Sequence, residues 1–154
     1  MKRVLVPLFV LTVVMVAALA AQSKPSFTGT WKLTSDPSAG PFIASQLVAS
    51  DDGKVLTVMS TSEFGEVKTL YNLDGSPAQS PLEFDGMKIE RTTKAAWDGI
   101  RLVLTTTSDF GGMPLEIKQV LSLAPDGALS VQTTFPDFQG GGAATTSTAT
   151  YKKG

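Results

Sequence analysis

Arg91, Thr93, Gln119 and Thr133 are polar residues that fall on the apolar side of alternating segments. From 114 onward, Leu115, Ile117, Leu121 and Leu123 share one side, and Gln119 shares it with them. Leu129, Val131 and Phe135 likewise carry Thr133, while Arg91 and Thr93 alternate in step with Ile89 and Ala95. A guanidinium among apolar side chains needs an anion or water, because an unpaired buried charge is very costly. One chemistry that fits is bidentate recognition of a carboxylate. An acyl tail would lie against Leu102, Leu104, Ile117, Leu121 and Val131, with its head group at Arg91, Gln119 and Thr133. The plainer alternative puts these residues at a wet rim or in a filled core, with water or a protein carboxylate at Arg91.

Other chemistry is sparse. Histidine and cysteine are absent, which removes the commonest general base, the thiol nucleophile and the usual zinc, copper and haem ligands. Asp51-Asp52, Asp85, Glu63 and Glu66 sit at expected turns, where carboxylates are ordinarily solvated. No Asp-x-Asp-x-Asp-Gly spacing marks a calcium loop, and no glycine-rich phosphate loop precedes a helix. "DFGG", 109 to 112, resembles a kinase tripeptide without its kinase partners and reads as a hairpin loop. The expectation is a protein without catalytic residues, metal or cofactor. A hydrolase working with carboxylates alone is the remaining enzymatic rival.

The start of the chain reads as an export signal. Lys2 and Arg3 precede a nearly unbroken apolar run from Val4 to Leu19, and Ala18-Leu19-Ala20 gives the small-x-small cleavage pattern. The expectation is a signal peptide over 1–20 and one domain over 21–154. An uncleaved anchor is the rival, since a membrane span takes about 20 apolar residues. Without cysteine there is neither a lipid attachment site nor a disulfide. The mature protein is then secreted or periplasmic, with no membrane span. Thirteen basic and 14 acidic residues give a net charge of −1, and losing Lys2 and Arg3 makes it more acidic. No basic footprint for nucleic acid or anionic lipid follows from that balance.

The elements that must position the polar set are strands. Five Asp-Gly pairs, at 52, 74, 85, 98 and 126, punctuate the chain, and Asp-Gly favours hairpin turns. Between them lie period-two runs rich in Val, Ile, Leu, Thr and Tyr. Strands are expected at 27–34, 43–50, 55–62, 66–73, 87–97, 100–108, 114–123, 128–135 and 145–152. Pro77 and Pro81 make 74–84 a loop, with a short piece of strand at 82–84 in view. "PDFQGGGAA", 136 to 144, is the longest irregular stretch. A turn at Asp98-Gly99 pairs Trp97 with Ile100. It places Thr93, Leu104, Gln119 and Thr133 in one row, with Arg91 and Thr106 in the next. A turn at Phe64-Gly65 sets Val58 opposite Tyr71. With no helix to cover the apolar face, the sheet must close as a barrel or pack as a sandwich. Short hairpins between neighbours favour an all-β, antiparallel up-and-down meander of eight to nine strands closed as a barrel. Side chains alone nearly fill a barrel of that size. Outward Thr, Lys, Glu and Arg argue against an outer-membrane barrel.

The first expected strand, "FTGTWKLT", puts Gly29 and Trp31 on one face. An indole there can stopper one end of a barrel, and the glycine leaves room for it or for a crossing backbone. "FTGTWKL", "AAWDGIRLVLTTT", "LSLAPDGALSV" and the terminal "TYKK" together resemble small secreted bacterial proteins of the lipocalin-like, calycin type, over nearly all of 27–152. The resemblance implies a barrel with a small hydrophobic or fatty-acid-like ligand. It also implies a basic residue packed on Trp31, which here is Lys152 or Lys153. The second lipocalin motif, Thr-Asp-Tyr, has no counterpart. The rival to a ligand carrier is a protein-interaction or inhibitor-like barrel of the cell envelope, acting through loops that carry Phe110, Met113, Phe135 and Phe138.

Overall fold

The computed structural model describes residues 23–34, 43–137 and 142–154. The segment read as a signal peptide lies outside them, as does Phe138. Twelve strands and no helix occur among the described residues. They are β1 (Gly29–Leu33), β2 (Gln46–Asp51), β3 (Val55–Ser62), β4 (Gly65–Asn72), β5 (Ala78–Gln79) and β6 (Leu82–Phe84). After these come β7 (Met87–Ile89), β8 (Arg91–Asp98), β9 (Arg101–Asp109), β10 (Pro114–Leu123), β11 (Leu129–Phe135) and β12 (Thr145–Lys153). Ten form one antiparallel sheet in the order β4-β3-β2-β1-β12-β11-β10-β9-β8-β5, and β6 pairs with β7 separately. Sequence neighbours are spatial neighbours, and β12 returns to β1, with Leu33 opposite Tyr151. The result is an up-and-down barrel nearly closed on itself, with no ladder between β4 and the edge of β8 that carries the two-residue β5.

Alternation drives the closure. Most Thr and charged residues take the wet side, Thr69, Arg91, Thr93 and Thr133 being buried exceptions, while Leu56, Leu102, Leu121, Leu129 and Val131 are at most 5% exposed on the dry side. Each such burial contributes about 1.5–3 kcal/mol over leaving the side chain in water. One end is stoppered by Trp31, 1% exposed, whose Nε1 donates to the Phe27 carbonyl at 2.8 Å. Phe27 stacks on Trp97 with ring centroids 6.1 Å apart. The Lys153 ammonium lies 5.4 Å from the Trp31 ring centroid.

Three details differ from the sequence-based expectation. The run 87–97 breaks at Glu90 into β7 and β8, and the expected loop contains β5, paired to β8 through Ala78 and Thr93. Asp98 pairs with Arg101, so the turn is Gly99-Ile100 and Trp97 faces Leu102. Gly99 takes φ 61° at the first loop position while Asp98 stays in the strand, the pattern of a type II′ turn. Ser62 similarly pairs with Gly65, which sets Leu56, not Val58, opposite Tyr71. Each shift is two residues, so every side chain keeps its face. Met87 and Ile100, which alternate in step with Ile89 and Leu102, lie at hairpin ends and are 62% and 47% exposed.

Candidate functional site

The corrected registers rearrange the polar set. Leu104, Gln119 and Thr133 share one row, which continues to Ala95 on β8 and Ser147 on β12. Gln119 Nε2 donates to Thr133 Oγ1 at 3.4 Å. Thr93 moves one row along, opposite Thr106, and Arg91 lies beyond it, opposite Ser108. The Gly99-Ile100 turn causes both displacements. Leu102, Leu121 and Val131 lie deeper, toward the stoppered end, and with Leu104 belong to the packed core.

Arg91 and Thr93 close the barrel where the ladder is missing. Arg91 Nε donates to the Ser80 carbonyl at 2.8 Å, and Nη2 donates to the Lys68 carbonyl and to Thr69 Oγ1, each at 3.3 Å. Thr93 Oγ1 donates to the Leu70 carbonyl. Ser80, between β5 and β6, receives the Leu70 N–H at 3.2 Å on its hydroxyl. Side chains thus satisfy the edge of β4 that a closing ladder would otherwise occupy. Among the described residues no carboxylate contacts Arg91; its companions are carbonyl and hydroxyl oxygens. Burial lowers its pKa from the ordinary arginine value, with the nearby Tyr71 acting in the opposite direction.

The two ends of the barrel differ in character. Toward the end opposite Trp31, the inward-facing Leu115, Ile117, Gln119, Thr106, Val58 and Ser147 are only half-buried. Ser147 lies on the same side of β12 as the buried Ala149 and Tyr151. Its hydroxyl is buried yet has no hydrogen-bond partner. The loops around this mouth carry Phe64, Phe84, Met87, Phe110 and Met113, five of the seven exposed large hydrophobics among the described residues. Leu82, Phe84, Met87 and Ile89 share one face of the β6–β7 hairpin, because Leu82 opposes Ile89 and Phe84 opposes Met87.

Several aspartates are turn caps. Asp52 accepts from the Lys54 and Val55 N–H groups at 2.9 and 2.8 Å, and these bonds hold its pKa below the ordinary aspartate value. Hydrogen bonds from Ser76 lower that of Asp74 in the same way. Among the described residues no three acidic side chains gather closely enough to hold a metal ion.

No protein-family model matches this chain, and no curated protein matches it in sequence.

Two parts of the site escape a reading of the sequence. Ser147 had a usable signal, since it alternates in step with Ala149 and Tyr151. Ser80 had none: it lies between two prolines in an irregular stretch, and its role depends on which two strands meet last.

Proposed function

We propose that this is an exported, non-enzymatic, lipocalin-like barrel that holds a small apolar or amphipathic molecule in the half opposite Trp31. The supporting observation is the Ser147 hydroxyl, buried and unpartnered beside Thr133 and Gln119. A buried hydroxyl without a hydrogen bond costs about 1–3 kcal/mol, so a ligand group that supplies the bond is favoured there. Arg91 is engaged by the β4 edge, so the head group falls to Gln119, Thr133 and Ser147. Ile117 flanks the tail. The packed Leu102, Leu121 and Val131 form its floor, which suits a short tail over a long one. A fatty-acid-like molecule with a carboxyl or hydroxyl end meets these requirements.

The test is fluorescence titration with dansyl-aminoundecanoic acid. Saturable binding is expected, weakened at least tenfold in Gln119→Leu and Ser147→Leu with circular dichroism unchanged. Equal binding by both variants, or none by the parent protein, contradicts the reading.

The exposed rim supports a second reading, an envelope protein-interaction barrel docking through Phe84, Met87, Phe110 and Met113. Large apolar residues exposed together are a feature of interaction sites. Under that reading Phe110→Ser with Met113→Ser abolishes partner crosslinking and leaves probe binding intact.

A further inference from the structure

At the stoppered end, where Trp97 and Leu73 pack against the core, is a concavity apart from the row of Gln119, Thr133 and Ser147. It is a solvent-open cleft of about 680 Å³ where the N-terminal segment passes the β2–β3 turn, the segment after β4 and the end of β8. Its volume lies within the range of small-molecule sites, roughly 300–1,000 Å³. Trp97 and Leu73 supply the apolar wall, and Lys24, Lys54, Asp51 and Asp74 supply the polar one. We infer that this cleft binds a neutral, hydroxyl-rich ring compound of the saccharide class.

Three features carry the assignment. The first is a flat aromatic surface: Phe27 stacks against Trp97 from the buried side, and the exposed Lys24 brings its ammonium within 5.1 Å of the indole centroid. A pyranose presents an apolar C–H face that fits such a ring, and its hydroxyls can bond to the displaced ammonium. The second is a pair of fixed acceptors. Asp51 Oδ1 accepts from the Gly53 N–H at 2.6 Å, and Asp74 Oδ1 accepts from the Ser76 N–H at 2.8 Å. Each carboxylate is thereby held in place with its other oxygen left for a donor, and acceptors fixed before binding lose little freedom on binding. The third is charge balance. Two ammonium groups face two carboxylates, so a net anion or cation meets as much repulsion as attraction, while hydroxyls can both donate to Asp and accept from Lys. An apolar ligand would leave all four charged groups desolvated without partners, which is costly.

The experiment is heteronuclear NMR titration of the purified protein with glucose, maltotriose and chitotriose, and with glucuronate and glucosamine as charged controls. Saturable shifts are expected at the Trp97 indole N–H and the Leu73 and Asp74 amides with a neutral sugar. Larger effects with the trisaccharides than with glucose indicate a polymeric glycan as the source; equal effects indicate a free sugar. Asp74→Asn, which keeps the turn cap, and Lys54→Met, on an exposed stem, should each weaken binding at least tenfold. Absence of saturable shifts with all three neutral sugars overturns the inference, as does tighter binding of either charged control. Unchanged affinity in both variants overturns it too. The interior ligand plays no part in these outcomes.

Discussion

Gly29 and Trp31 show how much one residue depends on its neighbours. Gly29 has φ +147°, a conformation that L side chains rarely adopt, and an added Cβ would stand 2.9 Å from the Lys153 Cε. The lysine stem can move aside, so the backbone conformation dominates the requirement for glycine. Gly29→Ala should therefore cost about 1–3 kcal/mol and Trp31→Ala about 3–5 kcal/mol, both read from urea denaturation. The two tyrosines give a pH test. Burial pushes Tyr151 up to about 12 and raises Tyr71 as well, against the opposing effects of its Thr106 hydrogen bond and of Arg91. The unfolded chain loses these protons near pH 10 while the folded one retains them. Between about pH 10 and 12 the unfolded state therefore binds fewer protons, and stability falls as pH rises through that window. Absorbance at 295 nm should show less tyrosinate at pH 10 in the folded protein than in the unfolded one.

Among the elements, the β4–β8 seam is the weak point. Its closure depends on side chains from Arg91, Thr93 and Ser80 where other strand pairs have ladders. Arg91→Met should cost about 1.5–3 kcal/mol, the scale of hydrogen bonds to a charged group. Amide exchange should quicken first at Leu70, whose N–H bonds to Ser80, and less on β10 and β11. Uniform acceleration across the sheet would mean the seam has no special role. The strands themselves were legible, because period-two alternation and Asp-Gly turns act locally. Two hairpin registers were not, although the row of Leu104, Gln119 and Thr133 was: Asp98-Gly99 satisfies the composition of one turn while Gly99-Ile100 satisfies the geometry of another. The face of every strand survived, since both errors were two residues. The short β5 and the Ser80 clasp were invisible because they form only when the ends of the sheet meet. Arg91 was correctly placed on the dry side, but its companions are carbonyls that no side-chain pattern could reveal.

At the scale of the molecule, the barrel is asymmetric along its axis. One end is filled by Trp31, Phe27 and Trp97, and the inward side chains of the other are only half-buried, polar at Gln119 and Ser147 and flanked by loops with exposed apolar residues. The proposed export predicts a mature protein beginning at Ala21, to be read by intact mass of material from the cell envelope or medium; retention of residues 1–20 would favour a membrane anchor. That same preparation permits the most direct test of ligand carriage. Under native mass spectrometry, the protein taken from its own envelope should carry a small molecule that leaves on mild denaturation. Recovery of the bare chain, or of a complex with a second protein alone, would contradict an interior ligand as the function of this barrel.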